Sequence, residues 1–556
     1  MTAVKQKRKK KQKRLAVFDI ETDPFLFGRI PEPFCVGWYD GDDYREFWGE
    51  DCIIRFVEFL HMLDDNYIVY AHNGGKFDFL FLLDFLDPGD IRIIRGRIAK
   101  TKIGNCELRD SWLILPLPLA AHDKGEIDYA IFESDRRNKP KNKKLILDYL
   151  MRDCRSLYTW VEKFRERFGD GMTIAGRAFD QLEQTGYEIP TTDADYDETM
   201  RPYYFGGRVE CFKFGKINGP LRYLDVNSAY PFAMLSQHPH TGAFKRRPDI
   251  PDHQNYFATV KARSHGALPF RIMEGPEKGK LTFPNDNVGR IYSATGWEIS
   301  AGVDTDTLEI IEIVECLEFV DVRDFSEYVH KFYEEKKHYK SINDRDNETF
   351  AKLMLNSCYG RFGTDPDKFE DYRLYDSGEH PGEGWELAVD LTDNYNRQLF
   401  KRPSARKRYY NVATAASITG FERAYLWRAI CASANPIYCD TDSLICESYD
   451  GEIGDELGQW KVEADLRNAY IGGKKIYSLE TTDECACENC AKTQEIASTK
   501  KCKRWKTAHK GFRVPRPDLF AEIIENGTVI EWKNDAPAMS IKGGIKFVER
   551  KIVLKR

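Results

Sequence analysis

Two aspartates stand two apart in Ile437-Tyr438-Cys439-Asp440-Thr441-Asp442-Ser443, between runs of β-like composition. That is the form of a hairpin displaying carboxylates at its tip. Far upstream, Asp225 closes another strand-like run in Tyr223-Leu224-Asp225-Val226-Asn227-Ser228-Ala229-Tyr230-Pro231 and is followed by a turn. If Asp225 and Asp442 met, they would clamp two magnesium ions, which favour all-oxygen ligands. In phosphoryl transfer one such ion acidifies the attacking hydroxyl and the other neutralises the triphosphate. Between the two segments lies Lys352-Leu353-Met354-Leu355-Asn356-Ser357-Cys358-Tyr359-Gly360. The spacing predicts a helix with Lys352, Asn356 and Tyr359 on one face, and Lys340 a little over three turns earlier on nearly the same face. Two ammonium groups there suit a triphosphate; without such neighbours a charged helix is a solvated face.

A second carboxylate set lies in the amino-terminal third. The period of two in Phe18-Asp19-Ile20-Glu21-Thr22 aims Asp19 and Glu21 at one spot. Tyr70-Ala71-His72-Asn73-Gly74-Gly75-Lys76-Phe77-Asp78 ends another apolar strand with a Gly-Gly turn and a carboxylate. Tyr149 and Asp153, four apart in a helical pattern, share a face. Acidic pairs at strand ends are commonly just solvated. Four carboxylates converging from separate elements repel one another unless cations lie between them, and paired divalent ions about 4 Å apart drive phosphodiester hydrolysis.

The ordered set of motifs resembles the family B DNA polymerases. D-x-x-S-x-Y-P at Asp225, K-x-x-x-N-S-x-Y-G at Lys352 and Y-x-D-T-D-S at Tyr438 match polymerase motifs A, B and C, and follow three segments similar to the proofreading exonuclease motifs. The resemblance covers roughly residues 15 to 477 and implies two activities, template-directed DNA synthesis and 3′→5′ exonucleolytic proofreading. It implies two Mg²⁺ (or Mn²⁺) per site. Asp19, Glu21, Asp78 and Asp153 would hold the exonuclease metals, Tyr149 would orient the attacking water, and Lys124 would stand near the scissile phosphate. Thr22, Tyr70, His72, Asn73, Phe77, Phe81, Ser111 and Tyr129 would grip the frayed primer, as stacking rings and polar groups grip single strands; ordinary core packing is the alternative for each ring. Asp225, Asp442 and the Val226 carbonyl would be polymerase metal ligands, with Asp440 a weaker neighbour. Tyr230 would lie under the sugar and exclude a 2′-hydroxyl, Asn356 and Tyr359 would shape the nascent base pair, and Lys340 and Lys352 would hold the triphosphate. The leucine usual before the motif A tyrosine is Ala229 here, which loosens the expected brace on Tyr230.

Further features resemble the protein-primed branch, of phage and linear-plasmid type. Tyr204-Phe205-Gly206-Gly207 matches its Y-x-G-G linker, Lys475-Ile476-Tyr477 its primer-end K-x-Y, and Thr419 with Arg423 a template–primer contact, so Tyr204, Gly206, Gly207, Thr419, Arg423, Lys475 and Tyr477 are expected on DNA. A terminal protein would then serve as primer, beside template–primer DNA and dNTPs.

The elements that must position these groups follow from patterning. Short β-like runs (Leu15 to Ile20, Phe34 to Tyr39, Tyr67 to Ala71) alternate with helical ones such as Ile53 to Leu63. The expected fold class is α/β and α+β multidomain: a ribonuclease-H-like exonuclease domain beside a right-hand polymerase of palm, fingers and thumb. Expected boundaries are a basic tail (1–14), exonuclease (15–176), palm (177–236 and 413–510), first terminal-protein-region insertion (237–327), fingers (328–363), second insertion, a hairpin (364–412), and thumb (511–556). At 556 residues, two to four domains are expected. Lys5 to Arg14 holds eight basic residues among ten and no apolar one, so it reads as a solvated tail that could also hold nucleic acid. The net charge of −6 excludes a uniformly basic nucleic-acid coat, so DNA must meet local basic surfaces such as Trp505 to Gly511, where Lys506 and Lys510 are rivals for the primer. No run of eighteen apolar residues occurs and the start is too basic for a secretory signal, so a membrane-free, intracellular monomer is expected, in host cytoplasm or wherever the replicon resides. Cysteines are scattered, as reduced thiols would be, except Cys485, Cys487, Cys490 and Cys502, for which structural zinc, free thiols and disulfides all stay open. Two rival functions remain: an exonuclease with a decayed polymerase half, and a non-catalytic scaffold binding DNA and a terminal protein.

Overall fold

The computed structural model describes residues 13–122, 125, 127–484, 504–510, 517–526, 529–533, 536–547 and 549–553. Lys124, the four clustered cysteines and the basic tail before Lys13 lie outside them. Two sheets organise the molecule. The first has ten strands in the order Glu386–Asp390, Arg397–Pro403, Glu370–Asp376, Gly89–Ile94, Arg97–Ile103, Cys106–Asp110, Tyr67–Ala71, Arg14–Thr22, Pro33–Tyr39, Tyr44–Trp48. At its centre Arg14–Thr22, Tyr67–Ala71 and Cys106–Asp110 run parallel, and Tyr67–Ala71 is buried throughout, as a strand covered on both faces must be. The helix Cys52–His61 packs on the adjoining strands, where Phe18 meets Phe56 at 5.1 Å between ring centroids.

The 29-residue helix Pro140–Phe168 covers another part of this sheet, opening on a proline and closing at Gly169 with φ 74°. It comes close because Gly37 has no side chain: a Cβ there would lie 2.8 Å from Leu150 Cγ and 3.0 Å from Cys154 Sγ.

The seven-stranded second sheet runs Trp505–His509, Ile476–Thr481, Trp460–Gly473, Gly215–Val226, Ser443–Cys446, Tyr438–Asp440, Val209–Cys211. Beside it the helix Val412–Cys431 is Ala-rich and buried nearly all round, as its absence of a polar face requires. A separate four-stranded sheet, Phe244–Arg247, Leu308–Phe319, Tyr256–Ser264, Arg290–Thr295, carries the helix Gly296–Asp304.

Two expectations change. The helix expected to carry both Lys340 and Lys352 is two helices, Ser326–Ser341 and Arg345–Ser357, packed on each other. Asn343 turns the chain at φ 56°, and the Asp344 carboxylate caps the second helix by accepting from the Asn347 N–H at 3.1 Å. The 364–412 segment, expected as a hairpin, is more than one. It forms three strands in the spatial order Glu386–Asp390, Arg397–Pro403, Glu370–Asp376 and extends the first sheet by pairing Tyr372 with Ile91 and Leu374 with Gly89. The ten described cysteines are free thiols. Among the described residues no helix is long and apolar enough to cross a membrane.

Candidate active sites

On the first sheet, alternation buries Phe18 and Ile20 and leaves Asp19 and Glu21 half-buried on the other side of their strand. Asp78 opens the short helix Asp78–Phe81 and is buried; its carboxylate accepts the Ile20 N–H at 3.1 Å, which ties it to the strand between the two acids. Burial, then the charge of Asp19, pushes the Asp78 carboxyl well above the usual carboxylate range. Asp153 and Cys154 sit on the long helix where Gly37 admits it, and the Cys154 thiol is pushed up by burial and then by Asp19, Asp153 and Glu21. The four carboxylates therefore share one neighbourhood. One turn earlier, the Tyr149 hydroxyl lies 3.1 Å from that of Tyr129, and burial with this contact raises its pKa.

The turn after Tyr67–Ala71 is fixed by need. Asn73 adopts φ 63°, and a Cβ on Gly75 would lie 2.1 Å from the Ile98 carbonyl oxygen. His72 Nδ1 lies 3.0 Å from Ser111 Oγ, whose hydroxyl donates to the Ala71 carbonyl. Of the residues expected on single-stranded DNA, Thr22, His72, Asn73, Phe77 and Phe81 are half-buried and Tyr129 is 51 % exposed. Tyr70 and Ser111 need correcting: both are fully buried, so they support His72 and its strand and cannot themselves present a surface. The buried Arg97–Asp110 pair (2.6 Å), which also anchors Trp112, was not singled out from sequence, since neither residue belongs to a motif.

On the second sheet, Asp225 pairs with Ser443 across adjacent strands and the Val226 N–H donates to the Asp442 carbonyl at 2.8 Å. Asp225 and Asp442 are thereby neighbours, with Asp440 at the same hairpin tip. Thr441 turns at φ 62°, and its N–H donates to the Arg208 carbonyl at 2.7 Å. Asp225 is pushed up to about 7, by burial first and Asp442 next; Lys506 and Lys352 pull the other way. Asp442 is raised by burial and then by Asp440. Asp440 is drawn aside: Lys475 Nζ pairs with it at 2.8 Å and the Tyr438 hydroxyl donates to it at 3.2 Å. Tyr477 sits against Tyr438 with ring centroids 5.2 Å apart.

The Val226 side chain is buried, so its carbonyl is what it can offer an ion. Among the described residues no three His, Cys, Asp or Glu side chains stand close enough to hold an ion unaided.

Lys340 and Lys352 lie on the two arms of the helix pair, not on one helical face. A third lysine, Lys336, joins them, its pKa lowered by burial and then by Lys352 and Lys340. Three ammonium groups that repel one another suit a polyanion. Lys336 stands one turn before Lys340, and the helical period could have found it. Asn356 is exposed; Tyr359 lies past the helix end and stacks on Tyr230, with centroids 4.2 Å apart.

Arg423 and Thr419 also need correcting as DNA contacts, because both are buried. Arg423 ion-pairs with buried Glu298 at 2.7 Å and donates to the carbonyls of Phe205 (2.7 Å) and Gly206 (2.9 Å), while Thr419 Oγ1 bonds the Ala416 carbonyl. Arg423 thus holds the Tyr204–Gly207 segment in place. Gly207 lies close under the hairpin, where a Cβ would meet Thr441 Cγ2 at 2.8 Å and the Tyr230 hydroxyl at 3.1 Å. Of the two rival lysines, Lys506 is the one whose charge is felt at Asp225.

A family model of type B DNA polymerases, organellar and viral, matches residues 121–452. The DNA-directed DNA polymerase of Enterobacteria phage PRD1 is 36% identical to this chain, covering 99% of both. The DNA polymerase of Bacillus phage PZA is 23% identical over 80% of this chain and 83% of its own length. Among solved structures, an orthorhombic crystal form of Phi29 DNA polymerase superposes with a TM-score of 0.71 at 18% identity, covering 98% of this chain and 100% of that one. The same polymerase with primer-template DNA and incoming nucleotides gives 0.69. Identity as low as this speaks for the fold alone, a mixed α/β multidomain architecture. Both the family model and the phage PRD1 relative place the chain among the organellar and viral type B DNA polymerases.

Proposed function

We propose that this DNA-directed DNA polymerase builds the strand at Asp225 and Asp442 and trims 3′ ends at Asp19, Glu21, Asp78 and Asp153. The observation that carries this reading is the existence of two separate acidic centres, one on each large sheet, in each of which neighbouring carboxylates push a pKa upward. Divalent cations bound there, Mg²⁺ or Mn²⁺, would acidify the attacking hydroxyl or water and offset charge on the leaving oxygen. The chain's own residues supply position. Lys336, Lys340 and Lys352 receive the triphosphate, Tyr230 and Tyr359 border the sugar and base, and Tyr149 with Tyr129 orients water at the trimming site. Lys475 and Tyr477 lie beside the hairpin on the primer side, and the Y-x-G-G segment held by Arg423 meets the template. Template–primer DNA and dNTPs, with which Phi29 DNA polymerase forms its solved complexes, are the partners proposed for this chain.

Asp442→Ala is expected to abolish extension of a labelled primer, by on the order of a thousandfold, and to spare its degradation. Asp19→Ala should do the reverse. Extension surviving Asp442→Ala would overturn the assignment of the second centre. The adjacency of Asp225 and Asp442 favours a working polymerase over a decayed one that merely holds DNA. Metal-dependent turnover at either centre would exclude a passive scaffold.

Initiation on a protein hydroxyl is the finer part of the reading, supported by the Y-x-G-G and K-x-Y segments and the two insertions. Incubation with origin DNA, the candidate terminal protein and labelled dATP should yield a nucleotide–protein adduct. The proposed setting is the intracellular compartment that houses the replicon.

A further inference from the structure

The loop after Thr22 is built to hold apolar side chains in water. At its neck the Asp23 N–H donates to the Glu32 carbonyl at 3.1 Å, and the buried Asp23 carboxylate accepts the Glu32 N–H at 2.8 Å. The same carboxylate pairs with Arg29 at 2.9 Å. At its tip the Arg29 backbone N–H donates to the Leu26 carbonyl at 3.1 Å, with Gly28 between them at φ 84°. Pinned at both ends, the loop exposes three consecutive apolar residues, Phe25, Leu26 and Phe27. A contiguous apolar surface of this kind marks a place where something binds. Phe27 packs on Phe547, with ring centroids 5.7 Å apart. Phe25, 43 % exposed, instead meets Phe77 edge to face at 5.9 Å and 87°, and Phe77 meets Phe81 in the same manner at 5.0 Å and 83°. The three rings form one row. It begins just past the strand that carries Asp19 and Glu21, and its middle ring immediately precedes Asp78. A nucleic-acid strand whose terminal phosphate lay among those carboxylates would bring its unpaired bases to these rings, and every base has a face on which an aromatic ring can stack. Lys76, exposed next to Phe77, offers the same strand a positive charge. Continuity of the row with the acidic centre favours a nucleic-acid occupant over a protein one.

We propose that Phe25 is a further contact for single-stranded DNA at the trimming centre: its ring extends the Phe77–Phe81 row and stacks on an unpaired base of the 3′ end. The inference rests on Asp19, Glu21, Asp78 and Asp153 trimming such an end, and the experiment separates the two claims.

Degradation of a 5′-labelled oligo(dT) by the full-length chain with Mg²⁺ gives kcat and KM, and extension of a primed template is followed beside it. Asp19→Ala should abolish degradation; if it does not, the trimming centre lies elsewhere and the inference falls with it. With that control met, Phe25→Ala should raise KM about tenfold, the worth of one base stacked on a ring, and hold kcat within about threefold. Phe25→Trp keeps a π-face and should hold KM within about threefold, whereas Phe25→Leu keeps only apolar contact and should behave as Phe25→Ala. A wild-type KM in F25A or in F25L would overturn stacking by Phe25, as would a rise in F25W equal to that in F25A. A wild-type KM in F25A together with a lower yield of nucleotide–protein adduct would assign the exposed loop to a protein partner instead. A fall in extension equal to the fall in degradation, in both F25A and F25L, would also overturn the inference, since the loop rather than the strand contact would have been hit.

Discussion

His238 shows how burial decides the behaviour of a single ring. Its Nε2 donates to the Ala233 carbonyl at 2.7 Å, and its Nδ1 faces Ser417 Oγ at 2.9 Å, which also accepts from Trp297 Nε1. Burial lowers its pKa from 6.5 to about 4. Between those values the unfolded chain binds the proton and the native one does not, so stability falls as pH drops from about 6.5 to about 4. The loss attributable to this ring approaches about 3 kcal/mol, and denaturant unfolding across that range should show it, with the step flattened in His238→Gln. The two linker glycines make a second test at this scale. A Cβ on Gly206 meets nothing within 4 Å, whereas one on Gly207 collides with Thr441 and the Tyr230 hydroxyl. Gly207→Ala should cost about 1–3 kcal/mol by thermal melting, and Gly206→Ala less than about 0.5. The motif alone could not rank them, because the difference lies in what faces each glycine from elsewhere in the chain.

Elements were legible where periodicity is strong. The strands carrying Asp19, the one ending at Ala71 and the Asp440–Asp442 hairpin fall where alternation and turn residues put them. The long helix bearing Tyr149 and Asp153 follows the same logic. The break at Ile342–Asp344 contains neither Gly nor Pro, so the charged run read as one helix; Asp344 was the overlooked stop-and-start signal. Ser111, Thr419 and Arg423 were expected on DNA through the family resemblance alone, and sequence does not reveal which polar groups find buried partners. The three-stranded extension of the first sheet was illegible for a related reason, since its anchor is long-range. Arg397, buried, donates to the carbonyls of Leu83 (3.0 Å), Asp84 (2.6 Å) and Leu86 (2.9 Å) and pairs with Asp376. Arg397→Met should cost about 3 kcal/mol by leaving those acceptors unpaired, and hydrogen exchange at 89–94 and 370–376 should quicken together.

At the scale of the molecule, the two acidic centres lie on different sheets but share one framework. The helix Pro140–Phe168, which carries Asp153, and the segment before it grip the helix pair Ser326–Ser341 and Arg345–Ser357. Lys163 and His122 both bind Asp346 (2.6 and 2.5 Å), Arg167 bonds Asn347 at 2.6 Å and Glu335, and Phe164 meets Phe350. Because no carboxylate is shared between the centres, Asp19→Ala and Asp442→Ala should combine additively: the double variant should lose both activities by the product expected from the singles. A double variant that instead melts well below the sum of the two shifts would mean the framework, not the chemistry, had been hit. The extended first sheet carries a last consequence. Gly89–Ile94 would be an edge strand were Glu370–Asp376 not bonded along it, and a bare edge is a template for another copy's backbone. Deleting residues 364–412 would bare the Gly89–Ile94 edge, so the trimmed enzyme is expected to self-associate on concentration, as light scattering against the full chain would show.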